Sequence, residues 1–137
     1  MIDYAHLYRE ALEARKSSYS PYSHFAVGAA LLCRDGSIFR GCNIENASFG
    51  ATLCAERTAF GKAISEGHRD FVAIAIVGGK AGEDLQFCPP CGICRQFMTE
   101  FCSPEHFQVV LYQPGGTPCP YALREVLPLQ FTSSDLD

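Results

Sequence analysis

Two apolar runs constrain this chain more than any other feature. Phe25-Ala-Val-Gly-Ala-Ala-Leu-Leu-Cys33 and Phe71-Val-Ala-Ile-Ala-Ile-Val77 are hydrophobic without alternation. Strands that show one apolar face alternate; strands buried on both faces do not. A sheet built on these two runs therefore needs helices against it. Asp3 is an N-cap signal, and Tyr4, Leu7, Tyr8, Ala11 and Leu12 follow at helical spacing, fading near Ser17-Ser18 before a loop at Tyr19-Ser-Pro-Tyr-Ser23. Asp35-Gly36 is a hairpin signal, so Ser37 to Gly41 returns antiparallel to the first run.

Asn43 to Leu53 reads as a loop, and Cys54 to Glu66 as a helix that packs through Ala55, Ala59, Phe60, Ala63 and Ile64 and stops at Gly67. Gly78-Gly79 is expected to break the second apolar run. A polar loop leads to Cys88-Pro-Pro-Cys91, then Gly92 to Phe101 reads as a helix, Gln108 to Gln113 as a strand ended by Pro114-Gly-Gly116, and Ala122 to Leu127 as a short helix. Strands alternating with helices in this second half imply parallel crossovers. The pattern is a mixed sheet covered by helices, with no internal repeat and no linker.

A length of 137 residues, with 47% hydrophobic and 19% charged residues, fits one domain spanning residues 1–137. Only Thr132 to Asp137 reads as disordered. The net charge of −4 argues against a nucleic acid polymer as partner, because phosphate backbones are held by basic surfaces. No apolar run is long enough to span a bilayer, and Met1-Ile-Asp-Tyr4 lacks the basic and apolar regions of a signal peptide. The expected location is the cytoplasm, with no membrane partner. Thiols stay reduced there, so the eight cysteines call for an explanation other than disulfides.

Cys91-Gly-Ile-Cys94 is a chelating spacing at a helix start, where the helix dipole lowers thiol pKa values. A redox pair or a structural knuckle would look the same. Cys88 overlaps as a second C-x-x-C, but Pro90 makes Cys88-Pro-Pro-Cys91 a poor chelating turn. Cys91 and Cys94 are therefore assigned as ligands, and Cys88 as a structural or peripheral thiol. Cys54-Ala-Glu56 opens another helix, and two such helix mouths can converge on one tetrahedral metal. Three thiolates leave the fourth position to water, as in a catalytic zinc site. Arg57 either makes a surface salt bridge or offsets the excess negative charge of the thiolates from the second shell. Glu56 is either a favourable dipole partner or the residue that turns a metal site into a reaction. Residues two apart on a helix diverge by about 200°, so periodicity alone does not aim Cys54 and Glu56 at one point.

Cys54-Ala-Glu56 with Pro90-Cys91-Gly-Ile-Cys94-Arg-Gln96 resembles the small, homotetrameric zinc-dependent cytidine deaminases of the three-cysteine type. The likeness extends from Tyr19 through Leu32 and Gly41-Cys-Asn-Ile-Glu-Asn46 to Leu127-Pro-Leu-Gln-Phe131. It implies a three-layer α/β/α sandwich on a mixed sheet of about five strands. The implied activity is hydrolytic deamination of cytidine and 2′-deoxycytidine to the uracil nucleosides and ammonia, a step of pyrimidine salvage. By position, Cys54, Cys91 and Cys94 would hold one zinc per chain, and Glu56 would shuttle protons while zinc-activated hydroxide attacks C4. Asn43 and Glu45 would bind the ribose, Phe25 would pack on the pyrimidine, and the backbone around Ala55 would hydrogen-bond the base. Phe131 would reach the site of a neighbouring subunit in a homotetramer with shared sites.

The chain departs from that family pattern at Phe49, where tyrosine is common, and at Pro89, an extra proline before the Pro-Cys pair. Thr117-Pro-Cys-Pro-Tyr121 is the expected fifth strand, and its two prolines fit only an edge or an irregular strand. The motifs also admit two other readings. One is a deaminase of another aminopyrimidine nucleoside, such as a blasticidin-type antibiotic, against which Asn43-Ile-Glu45-Asn46 favours an ordinary ribose. The other is a non-catalytic zinc-binding module, against which Glu56 and the acidic charge both speak.

Overall fold

A computed structural model describes residues 1–137. Five strands form one mixed sheet: β1 (Phe25–Cys33), β2 (Ile38–Cys42), β3 (Phe71–Lys80), β4 (Gln108–Tyr112) and β5 (Pro118–Ala122). Their order across the sheet is β2-β1-β3-β4-β5. β1 is antiparallel to both of its neighbours, β3 and β4 are parallel, and β5 returns antiparallel at the edge. Pro118 and Pro120 sit on that edge strand, where a missing N–H costs no ladder bond on the open side.

Helices cover both faces. Odd-numbered positions of β1 (Ala29, Leu31, Cys33) and Ile74, Ile76, Val109 and Leu111 pack with α2 (Ala55–Ser65), α3 (Gly92–Thr99) and α4 (Leu123–Val126). The alternate positions, Ala30, Ala73, Ala75, Val77, Val110 and Tyr112, pack with Leu7 and Ala11 of α1 (Tyr4–Arg15). Each central strand thus carries two apolar faces, which is why neither run alternates. Asp3 caps α1 through its side chain, which accepts the His6 N–H at 3.0 Å.

Two expectations fail. β3 does not end at Gly78-Gly79, because both glycines pair in register with Val27 and Ala26 of β1. Gly78 is needed for space: a Cβ there would lie 2.6 Å from the Cys88 sulfur. The tail is also ordered, with a 3₁₀ turn at Ser133–Leu136 fastened where Asp135 accepts the Thr132 N–H at 2.8 Å. The loop between β2 and α2 contains a second 3₁₀ turn, Phe49–Ala51. α2 starts one residue inside its expected span because Cys54 is its N-cap and not a helical residue, while α3 starts at Gly92 as expected and ends two residues earlier than expected, at Thr99.

Candidate functional site

The carboxyl ends of β2 and β3 and the start of β1 lie at one end of the sheet, and both helix mouths open there. Backbone bonds between Ile44 and Leu53, at 2.9 and 3.0 Å, bring the chain back beside itself just before α2. α2 then lies directly on β2, with Gly41 beneath it. A Cβ at Gly41 would come within 2.3 Å of the Ala55 carbonyl oxygen. The mouth of α3 is held by Arg95, which donates to the carbonyls of Pro90 at 2.8 Å and Val126 at 2.6 Å.

These supports bring the sulfurs of Cys54, Cys91 and Cys94 within 4.8 Å of one another. Cys54 Sγ and Cys91 Sγ are 3.5 Å apart. Two thiolates on a tetrahedral zinc, each ~2.3 Å from the metal, stand about 3.8 Å from each other, so this donor set fits zinc in both chemistry and spacing. Cys88 is outside the cluster, buried against Gly78 and Phe25. Burial pushes its thiol up to about 12.

The cluster is electrostatically uneven. A hydrogen bond from Cys94, helped by Arg57 and Cys91, pulls the Cys54 thiol well below its usual range against the cost of burial. That same bond, with burial behind it, drives Cys94 upward. Arg57 donates to the Thr52 carbonyl at 3.1 Å and points the same nitrogen at Cys54 Sγ, 3.9 Å away. It is not a surface ion-pair residue.

Glu56 is 4% exposed, a rare position for a carboxyl group. Burial raises its pKa to about 7, and the Cys54 charge acts the same way, while its own backbone N–H, Cys94 and Arg57 pull it down. Cys54 and Glu56 line one cleft of about 280 Å³. The helical divergence does not apply to them, because Cys54 is an extended N-cap residue with φ −72° and ψ 155°.

Phe25, Asn43, Glu45 and Ala55 line the same cleft. Glu45 accepts the backbone N–H groups of Tyr22 (2.9 Å) and Ser23 (3.1 Å) and the Ser23 hydroxyl. The Ser23 hydroxyl, ahead of these backbone donors, holds its pKa down. Asn43 is buried and heavily engaged. Its oxygen accepts the Val27 N–H at 3.0 Å and the Ser18 hydroxyl, and its amide donates to the Phe25 carbonyl at 2.7 Å. Sequence reasoning missed Ser23 and Ser18, which no spacing rule marks. Phe131 does not line this cleft. Its ring is more than half exposed, and its carbonyl accepts from Gln96 on α3 at 2.8 Å. Phe49 is exposed, edge-on to Tyr22 with ring centroids 6.1 Å apart.

Residues 1–110 match the family model described as cytidine and deoxycytidylate deaminase zinc-binding region. Over 136 residues the chain is 50% identical to a cytidine deaminase of Halalkalibacterium halodurans, covering 99% of each chain. A crystal structure of cytidine deaminase from Burkholderia pseudomallei superposes with a TM-score of 0.85 at 42% identity, over 95% of this chain and 100% of that one. Similarity to a blasticidin-S deaminase of Bacillus cereus is lower, 32% identity over 77% of this chain and 76% of that protein.

Proposed function

The chain belongs to the family of zinc-binding cytidine and deoxycytidylate deaminases, and from that premise we propose how its cleft hydrolyses cytidine and 2′-deoxycytidine to uridine and 2′-deoxyuridine. The observation that carries the reading is a buried carboxyl group, Glu56, in the same cleft as three clustered thiols. A structural zinc knuckle has no use for such a group. The greater similarity to cytidine deaminase than to blasticidin-S deaminase favours an ordinary nucleoside as substrate.

Cys54, Cys91 and Cys94 hold one zinc in this proposal. Arg57, beside Cys54, and the two helix N-termini offset the surplus charge of three thiolates. Zinc, when bound, supplies the Lewis acidity that makes water a nucleophile near neutral pH. Glu56 does the proton work. Its carboxylate accepts a proton from the attacking water and delivers it to N3, so C4 becomes electrophilic as the C4–O bond forms. It then carries the second water proton to the amino group, the C4–N bond breaks, and ammonia leaves. Burial, which raises the Glu56 pKa, favours its protonated form, and Arg57 opposes it, so the group can both accept and return a proton in that cycle.

The base lies between Phe25 and the backbone around Ala55, and the ribose meets Asn43 and Glu45. A carboxylate and an amide provide the acceptors and the donor that a sugar edge needs. Phe131, exposed and absent from the lining of its own cleft, completes the site of a neighbouring subunit in a homotetramer. The activity belongs to one domain over residues 1–137 and serves pyrimidine salvage in the cytoplasm. No helix is long and apolar enough to cross a membrane. The test is zinc content and single-turnover deamination on one preparation of Glu56→Ala. Full zinc with a rate lower by at least ~10²–10⁴-fold is expected; full zinc with near-normal turnover would sink the mechanism.

A further inference from the structure

The far end of β1 carries a second group of metal-binding side chains. Cys33 closes that strand, Asp35 sits within the hairpin turn after it, and His68 lies in the segment between α2 and β3. Their donor atoms, one from each residue, all lie within 4.8 Å of one another. Phe25 and Cys33 are eight residues apart on an extended strand, roughly 26 Å at ~3.3 Å per residue, so this group is remote from the deaminase cleft.

We propose that Cys33, Asp35 and His68 form a second site, for a zinc-class divalent transition metal, that clips the β1–β2 hairpin to the segment following α2. Four observations converge on it. The residues line a concave pocket of about 400 Å³, and Cys33, though only 2% exposed, forms part of its wall. The pairing of β1 with β3 shifts register between Leu32 and Cys33, and such irregularities re-aim a side chain. His68 Nδ1 stands 3.7 Å from Asp35 Oδ2, too far for a hydrogen bond and a few tenths of an ångström beyond the ~3.4 Å between nitrogen and oxygen donors on one tetrahedral zinc, a gap that a small side-chain rotation closes. The imidazole is held edge-on by Phe39, with ring centroids 4.9 Å apart.

Thiol, imidazole and carboxylate are the donor types zinc accepts, and three of them leave a position for water. The nearby cations are already committed. Arg34 Nε pairs with both oxygens of Asp70 at 3.1 Å, and Arg69 donates to the Ile64 and His68 carbonyls at 2.8 and 2.9 Å. Binding forms a metal–sulfur bond and releases the Cys33 thiol proton to solvent. Burial, followed by the Asp35 and Asp70 charges, holds that thiol at about 11. Because that proton must leave on binding, occupancy rises with pH.

The experiment titrates Co²⁺ into protein that already carries its cleft zinc, reading bound cobalt, retained zinc and the near-ultraviolet thiolate-to-cobalt absorption. Wild type is expected to take up one cobalt with that absorption while keeping its zinc. His68→Gln and Cys33→Ser should bind it at least tenfold more weakly, with an unchanged deamination rate. If Cys33→Ser does not fold, His68→Gln decides alone, since its ring lies outside both cores. No cobalt uptake by zinc-loaded wild type, or less than a tenfold loss in His68→Gln, overturns the site.

Discussion

The two faces of the sheet are built with the same device and used differently. On each face one glycine lets a helix approach the strands more closely than any side chain would permit. Gly28 lies under α1, where a Cβ would come 2.1 Å from the Ala11 carbonyl oxygen; Gly41 lies under α2, where it would come 2.3 Å from that of Ala55. The α1 face buries aliphatic residues and two aromatic hydroxyls with partners, Tyr112 donating to the Tyr4 carbonyl and Tyr4 to Gln108. The α2 face buries Glu56 and Cys94. Burial of an acid without a paired cation costs stability, so only one face is built as if stability were its sole task. Close approach serves packing on one side and aim on the other.

The sharpest way to break that contrast is Glu56→Gln. Gln keeps the shape and removes both the charge and the titration. If Glu56 is the proton carrier, kcat should fall by at least ~10²–10⁴-fold, with zinc content near one per chain. Thermal stability should stay level or rise, because a buried ionisable group is replaced by a neutral one. A fall in melting temperature together with retained turnover would mean that Glu56 is structural, and the two faces would differ less than proposed.

A matched pair, Gly28→Ala and Gly41→Ala, sharpens it further. Both place a methyl group against backbone that cannot rotate away, so each should cost ~1–3 kcal/mol or more in denaturant unfolding. The costs should be alike; the other readouts should not. Gly41→Ala displaces the first turn of α2 and with it Cys54, so it should also lower zinc affinity measured by competition with a chelator. Gly28→Ala displaces α1 and should leave zinc affinity near wild type. Equal zinc loss in both variants would mean that the faces are mechanically coupled.

How far the sequence reached can be followed on the same two faces. β1 spans the run Phe25–Cys33 as expected, because a run apolar on both faces and followed by Asp35-Gly36 has little freedom in register. The end of β3 is not legible in the sequence, because Gly78 and Gly79 are strand residues for a tertiary reason, room for Cys88 and pairing with β1, that no local propensity contains. The polar tail reads as disordered because its turn rests on a few local contacts among Thr132, Ser134 and Asp135 and buries no apolar residue. At the site, Cys91 and Cys94 share a helix and their spacing is legible in the chain. The approach of Cys54 to them crosses 37 residues and is set by Gly41 and the Ile44–Leu53 bridge. Asn43 shows what stays hidden. Its three partners lie at positions 18, 25 and 27, so its part in fixing the start of β1 emerges only from the folded chain.

Asn43 and Glu45 separate by the same logic. Glu45 is half-buried and held by loop donors, so Glu45→Ala should raise KM for cytidine about tenfold or more, with little loss of stability and some loss of kcat, since remote binding energy helps align the base. Asn43→Ala leaves the Val27 N–H and the Phe25 carbonyl without their partners, and should cost ~1–3 kcal/mol of stability besides. Unchanged kinetics in both variants would remove the ribose role.

The smallest effect should come from the thiol nearest the cluster but outside it. Cys88 lines the same cleft, overlaps the Cys91–Cys94 motif in sequence, and would be the natural substitute ligand if the assignment were shifted by one turn. Its surroundings argue otherwise. The sulfur is seated against Gly78, its pKa is raised by burial and then by the Glu56 charge, and it lies outside the cluster formed by the other three. A thiolate ligand needs the opposite setting, one that stabilises negative charge as Arg57 does beside Cys54. Cys88→Ala should therefore remove only packing, lowering stability by ~1 kcal/mol, while zinc content and turnover stay near wild type. Cys91→Ser, exposed and peripheral by packing alone, should lose zinc. The reverse result, zinc lost with Cys88→Ala and kept with Cys91→Ser, would move the metal one turn along the loop and leave the mouth of α3 without its proposed task.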